Sequence, residues 1–271
     1  MENSEVLRKI QMCQLDILKT IDKVCRQNNI KYWLAYGSFL GAVREKGFIP
    51  WDDDLDIHMT MKDFKKFEKC CKEVFGDDYF LQTPKSEPST KWIYYKVRKN
   101  NTLMLEPSLE QEKNNFYNGI WVDVFPLINL GKTKRLGEAQ IKQLKKLQRL
   151  RWWHLVPGDN TAGIKRRVFE KLLCFYEKIL WGVVMLCGSK ASDYYLAIEN
   201  EFYDNKTEED IKRAMFKKEI FGKNQRYVFE DGFFNGVSDY DAYLTQIYGK
   251  DYMTPRRYGE HLPDYSNVIV D

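Results

Sequence analysis

Five aspartates stand out as residues that could do chemistry. Asp52, Asp53, Asp54 and Asp56 crowd into "WDDDLDIHM", and Asp123 stands between valines in "WVDVF". Carboxylates this close repel one another unless water or a cation intervenes, so the cluster is either a solvated loop or a cation site. Asp54 and Asp56 lie two apart, with Leu55 and Ile57 alternating around them. In a strand both carboxylates then face one side and the aliphatic residues face the core, which makes a chelating pair. An EF-hand loop is excluded, because its sixth position needs glycine and here holds Ile57. Asp123 would be costly to bury unpaired, so it either meets an arginine or serves as a further ligand of the same site.

These residues need elements to hold them. Upstream, "KYWLAYG" reads as a buried strand stopping at Gly37, and "SFLGAVREKG" as a short helix closed by Gly47. Backbone N–H groups at Gly37 and the hydroxyl of Ser38 could then face a phosphate, although a plain turn is the commoner meaning of a Gly-Ser pair. Before them, apolar residues recurring at three and four from Ser4 to Asn28 predict an amphipathic helix. After them come a strand over "LDIHM", a helix from Met61 to Phe75, strands over "YFLQT", "KWIYYKVRK" and "NTLML", and a strand "GIWVDVFPL" ended by Pro126. The expected fold is α+β or α/β, a mixed sheet flanked by helices.

Beyond Gly131 the chain becomes basic and helical, with "SDYYLAIENEFYDN" as one more expected helix. Three regions are therefore expected: a catalytic core over 1–131, a basic helical region over 132–210, and a C-terminal segment over 211–271 that returns to the site. The apolar run Ile179–Gly188 is about half as long as the roughly 20 residues a spanning helix requires, and a buried helix is its expected form.

Composition narrows the function classes. The 271 residues are 44% hydrophobic, enough for a core, and 43 basic against 39 acidic side chains give a net charge of +4, too mild to argue for nucleic acid. Six cysteines form no C-x-x-C pair, so neither a zinc site nor a disulfide framework is expected. The first residues lack the apolar core of a secretory signal, so a cytoplasmic protein is expected.

Gly-Ser, then Asp-x-Asp, then a later strand aspartate resembles the nucleotidyltransferase fold. More specifically, "YGSFLGAVREKGFIPWDDDLDIHM", "VDVFPL" and "YGKDYMTPRRYGEH" resemble the blocks of the LicD family of phosphocholine transferases, related to fukutin and fukutin-related protein. Where that family often has a double proline in the last block, this chain has Thr254 and Pro255, which leaves the role of His261 open.

The resemblance implies a phosphotransferase that splits a CDP-alcohol, CDP-choline first among them, moves the phospho-alcohol to a sugar hydroxyl of a glycan or lipid-linked glycan, and releases CMP. It implies one or two Mg²⁺ ions, with Mn²⁺ as substitute, on Asp54, Asp56 and Asp123. Gly37 and Ser38 would cradle phosphate, and Arg44, Lys96 and Arg98 would offset charge, though a solvent-facing strand explains Lys96 and Arg98 equally well. His261 and His58 could donate to phosphate. Trp92, Tyr94, Tyr95, Phe116, Tyr117 and Trp121 are the aromatic residues available to a choline ammonium. Peripheral contact with the inner membrane face through the basic run Lys132 to Arg151 is a further expectation. The competing readings are a nucleotidyltransferase attacking the α-phosphorus, a transferase using CDP-ribitol or CDP-glycerol, and a non-enzymatic basic module that binds membrane or RNA.

Overall fold

Helix α1 (Asn3–Gln27) follows directly from its sequence period: Ile10, Ile17, Leu18, Ile21 and Val24 recur on one face, and all are fully buried. The computed structural model describes residues 3–88, 90–105, 117–154, 164–199, 207–256, 265 and 268–270. It divides into two units. The first comprises Met1–Leu81, Lys96–Phe125 and Glu219–Asp271, the second Gln82–Tyr95 and Pro126–Lys218. Gly131, where the composition shifts, lies within the second.

The first unit continues with β1 (Trp33–Leu34), α2 (Tyr36–Arg44), β2 (Asp56–Thr60), α3 (Met61–Val74), β3 (Tyr79–Gln82), β4 (Tyr95–Lys99) and β5 (Trp121–Asn129). The strand order is β1-β2-β5-β4-β3 in a mixed sheet, an α/β arrangement as the sequence leads one to expect. β1 and β2 are antiparallel, with Trp33 opposite His58 and Leu34 opposite Ile57. Thr60 ends β2 and caps α3 at once, because its hydroxyl accepts the Asp63 N–H at 3.1 Å. β5 is buried from Trp121 through Ile128, as suits a strand with neighbours on both sides.

Three local expectations change here. β5 does not stop at Pro126: the strand runs through it to Asn129, and the Pro126 carbonyl still accepts the Ile198 N–H at 2.9 Å. "NTLML" forms no strand of its own, only a bridge between Leu103 and Ile269. Tyr36 and Gly37 belong to α2 rather than to the preceding strand, with Tyr36 at a positive φ of 43°.

In the second unit, α4 (Lys134–His154) and α5 (Ile164–Cys187) pack together. Buried Arg151 donates to Glu177 at 2.9 Å and to the Thr90 carbonyl at 2.6 Å, while buried Gln140 donates to the carbonyls of Asn129 and Val184, each at 3.0 Å. The Tyr194–Ala197 segment, expected to be helical, is instead strand β6, antiparallel to the distal part of β5 and to β7 (Met215–Lys217). Two tyrosines and a leucine suit a sheet, and the β5 edge supplies the backbone partners that a propensity reading cannot see. α6 (Glu208–Arg213) starts at a capping box made by Thr207 and Asp210. The apolar run Ile179–Gly188 is not a buried helix: within α5, Leu180 and Val184 are buried and Ile179 and Leu186 are exposed. Among the described residues no helix is long and apolar enough to cross a membrane.

The chain then completes the first unit with the hairpin β8 (Gln225–Phe229) and β9 (Gly232–Gly236) and with α7 (Tyr240–Tyr248), capped by Asp239. At the hairpin tip Glu230 adopts a φ of 54°, as a two-residue turn requires, and its carboxylate binds Arg8 of α1 and the Phe48 N–H.

Candidate functional site

Asp52, Asp53 and Asp54 sit on the loop between α2 and β2, which α1 holds from behind, while Asp56 opens β2 and Asp123 lies in β5. Gln14, fully buried, donates to the Asp53 carbonyl at 2.6 Å, and buried Gln11 donates to the Asp52 carbonyl at 2.9 Å and the Ile49 carbonyl at 3.3 Å. The loop backbone is thus held at three carbonyls by side-chain amides. The Asp123 N–H donates to the Leu55 carbonyl at 2.9 Å, so β5 meets the chain between Asp54 and Asp56.

Asp123 is buried. Its Oδ1 pairs with Lys96 Nζ at 2.8 Å and its Oδ2 accepts from Trp121 Nε1 at 3.0 Å. Lys96 and Arg98 are both buried, which excludes the solvent-face reading, and their cations lie 4.4 and 4.9 Å from the centre of the Trp121 ring. Arg98 also donates to the Gly119 carbonyl at 2.8 Å. Trp121 therefore already stacks with two cations of the protein itself. Trp92, Tyr94 and Tyr95 are buried in the second unit, where Trp92 stacks on Tyr94 at 5.5 Å, and Phe116 lies outside the described residues.

The carboxylates share one electrostatic environment. Burial, then Asp53, pushes Asp52 up to about 7. Asp54 and Asp56 are both raised well above the usual carboxylate range, first by the low-dielectric surroundings and then by one another's neighbours: Asp53, Asp123 and Asp52 act on Asp54, and Asp54, Asp123 and Asp52 on Asp56. Asp54 is the most solvent-exposed of the four, and the repulsion from its neighbours acts on it whatever its exposure. Lys96 opposes the rise at both. Buried Tyr265, from the C-terminal segment, has its phenol raised by burial and then by Asp53, Asp54 and Asp52, which places it beside the cluster.

This donor set fits a hard divalent cation. Asp52, Asp53 and Asp54 each offer an oxygen within 4.8 Å of the others, a span one ion can bridge, and no histidine or cysteine belongs to the group. Sequence spacing singles out Asp54 and Asp56 and leaves Asp52 and Asp53 unassigned; the geometry groups both of these with Asp54.

The phosphate loop takes a definite form. Gly37 and Ser38 lie in the first turn of α2, whose N-cap, Ala35, offers no side-chain hydrogen bond. A Cβ at Gly37 would stand 2.5 Å from Asp52 Oδ2, so glycine is required for that carboxylate to approach the helix terminus. Ser38 is buried, and its hydroxyl accepts the Asp56 N–H at 2.7 Å, tying α2 to the start of β2. Arg44 lies at the other end of α2, roughly 9 Å along the axis from Ser38, where it pairs with Glu45 and donates to the Tyr252 carbonyl at 3.1 Å. His261 falls outside the described residues.

His58 is buried behind the site, its imidazole pushed down to about 3 chiefly by burial. Its Nε2 shares a 2.9 Å hydrogen bond with the hydroxyl of buried Tyr243 on α7, which also accepts the Tyr36 N–H at 3.2 Å. Tyr243 thereby joins the start of α2 to β2. It, Gln11, Gln14 and Tyr265 are positioning or neighbouring residues that spacing does not reveal. For the two glutamines a signal exists, since both occupy core-facing positions of an otherwise apolar helix face.

Residues 29–159, which hold all five aspartates, match the family described as LicD/FKTN/FKRP, nucleotidyltransferase domain. The chain is 26% identical over 260 residues to the lipopolysaccharide cholinephosphotransferase LicD of Haemophilus influenzae, covering 91% of each chain. Shorter matches, 45% over 53 residues and 49% over 47, link it to uncharacterized proteins of Rickettsia typhi and Rickettsia prowazekii, with 17% and 18% of those proteins covered. Residues 29–159 therefore belong to the LicD family's nucleotidyltransferase domain, and the chain as a whole is similar to that transferase at 26% identity.

Proposed function

We propose that this protein is a divalent-cation-dependent phosphotransferase that moves phosphocholine from CDP-choline to a sugar hydroxyl of a cell-surface glycan precursor, releasing CMP. The observation that carries the reading is the grouping of Asp52, Asp53 and Asp54 within 4.8 Å, with Asp52 close to the first turn of α2 and with the Asp123 N–H bound to the Leu55 carbonyl between Asp54 and Asp56. The likeness to the lipopolysaccharide cholinephosphotransferase of Haemophilus influenzae supports the choice of group and acceptor class.

In this reading Asp52, Asp53, Asp54 and Asp56, with Asp123, hold one or two Mg²⁺ ions. Bound there, the metal neutralises charge on the donor pyrophosphate and the leaving group. The chain does the rest. The first-turn N–H groups at Gly37 and Ser38 bind a phosphate oxygen. The acceptor hydroxyl oxygen forms a bond to the phosphorus that carries choline, the bond from that phosphorus to the bridging oxygen breaks, and CMP leaves with the electron pair. The hydroxyl proton passes to a site carboxylate, with Asp123 held in place for this by Trp121 and Lys96. Lys96 and Arg98 limit the negative charge of the pocket wall.

A panel of CDP-choline, CDP-ribitol and CDP-glycerol, incubated with the protein and Mg²⁺ and followed by mass spectrometry of the small product, tests the reading. CMP release that needs Mg²⁺, favours CDP-choline, and disappears in Asp54→Asn and Asp56→Asn variants that still fold is expected. Pyrophosphate or a phosphate ester as product would point to attack at the α-phosphorus instead. Activity that survives both substitutions would sink the proposal.

A further inference from the structure

Helix α5 carries an apolar stripe that no described residue of its unit covers. Val168, Leu172, Phe175, Ile179, Val183 and Leu186 follow one another at spacings of four, three, four, four and three, so they line one face. Leu172, Phe175 and Leu186 are 60%, 63% and 85% exposed. The stripe runs for about 27 Å of helix. The opposite side of the helix is occupied: Leu180 and Val184 are buried, and Glu177 is bound to Arg151 of α4. A contiguous apolar surface of this extent on a soluble domain marks a contact with something else.

Charge says what that contact is. Exposed Lys171 and Lys178 each stand one position before a stripe residue and so form a cationic row along one flank. The described acid of α5, Glu177, points to the packed side. The same unit adds exposed Lys142, Lys146 and Arg149 in one row of α4. We propose that α5 is an interfacial helix that lies on an anionic lipid bilayer, its stripe entering the headgroup boundary and its lysines meeting the lipid phosphates. The helix is too charged to span a bilayer, which fits a helix lying in the surface plane. A second copy of the chain is a poorer occupant, because an antiparallel two-fold pairing through the stripe would set one lysine row against the other. The proposal does not depend on the chemistry of the aspartate site, and it assigns the surface to α5 rather than to the basic α4 run that the sequence singles out.

Co-sedimentation of the full chain with phosphatidylcholine vesicles, with or without about 30% phosphatidylglycerol, tests it. Binding to the anionic vesicles is expected, roughly tenfold weaker on neutral ones and weakened by salt. Leu172→Glu/Phe175→Glu/Leu186→Glu should lose that binding while keeping its circular dichroism and its release of CMP from soluble donor. Because all three side chains are exposed, folding should be retained; Lys171→Gln/Lys178→Gln, which leaves the stripe intact, should weaken anionic binding only. The proposal is overturned if the wild-type chain stays in the supernatant, if it binds neutral and anionic vesicles equally, if the triple variant binds as well as wild type, or if that variant instead converts a dimer to a monomer in sedimentation.

Discussion

Gln14 Nε2 donates to the carbonyl of Asp53 at 2.6 Å, so the carboxylate loop is held by a residue of the first helix, 39 positions earlier in the chain. Replacing Gln14 with leucine keeps the volume and removes the donor. The Asp53 carbonyl loses its partner, but the unpartnered Gln14 Oε1 disappears as well, so a modest net loss of about 1 kcal/mol is expected in urea denaturation. Activity should fall further than stability, by roughly tenfold or more, because the loop is free to shift. Equal CMP release from Gln14→Leu and wild type would show that the clamp is structural only.

The cluster also makes a pH prediction for the metal-free protein. Asp52 is pushed up to about 7, and Asp54 and Asp56 are raised as well, so the folded state binds protons more tightly than the unfolded chain does. Stability from these groups is then fully present below the ordinary carboxylate range of about 4 and is lost as pH rises through the raised values. The melting temperature should fall between pH 5 and pH 7.5 in chelator, by calorimetry, and added Mg²⁺ at pH 7.5 should restore it. Asp56→Asn should flatten the pH slope and reduce the Mg²⁺ effect.

Lys96 and Asp123 form a buried ion pair, and its two halves are not equivalent to a neutral pair. Lys96→Met leaves the Asp123 carboxylate buried without its cation, at an expected cost of about 3–5 kcal/mol. Lys96→Met combined with Asp123→Leu should recover much of that stability without any activity. A single-variant loss below about 1 kcal/mol would mean that Asp123 finds another partner.

Tyr243→Phe removes one hydroxyl that serves two elements. The Tyr36 N–H loses its acceptor and His58 its partner, both in a buried setting, so a loss of about 1–3 kcal/mol is expected. Because Tyr36 begins α2, the Michaelis constant for donor should rise together with the loss of stability.

Much of the first unit is legible in the sequence. α1, β2, α3 and β5 follow from periods of 3.6 and 2, whereas Asp54 precedes β2 and is grouped with Asp52 and Asp53 rather than with Asp56. The missed features share a cause: each depends on a partner distant in sequence. β6 needs the β5 edge, and Lys96 and Arg98 look solvent-facing until Trp121 and Asp123 are placed beside them. The span of β5 through Pro126 also escapes a local reading, since a proline penalty counts only where its N–H is required. In α5 the apolar period is legible, but which half of it is covered depends on where α4 packs.

The close approach of the Asp52 carboxylate to Gly37 has a kinetic consequence. The Asp52 carboxyl already sits beside the helix terminus proposed to receive a donor phosphate, so once ionised it competes with donor for the same positive field. A cation held by Asp52 together with Asp53 and Asp54 would neutralise that charge. Binding should therefore be ordered, cation before nucleotide, and donor offered in chelator should bind little better than to a chain with Gly37 replaced by alanine.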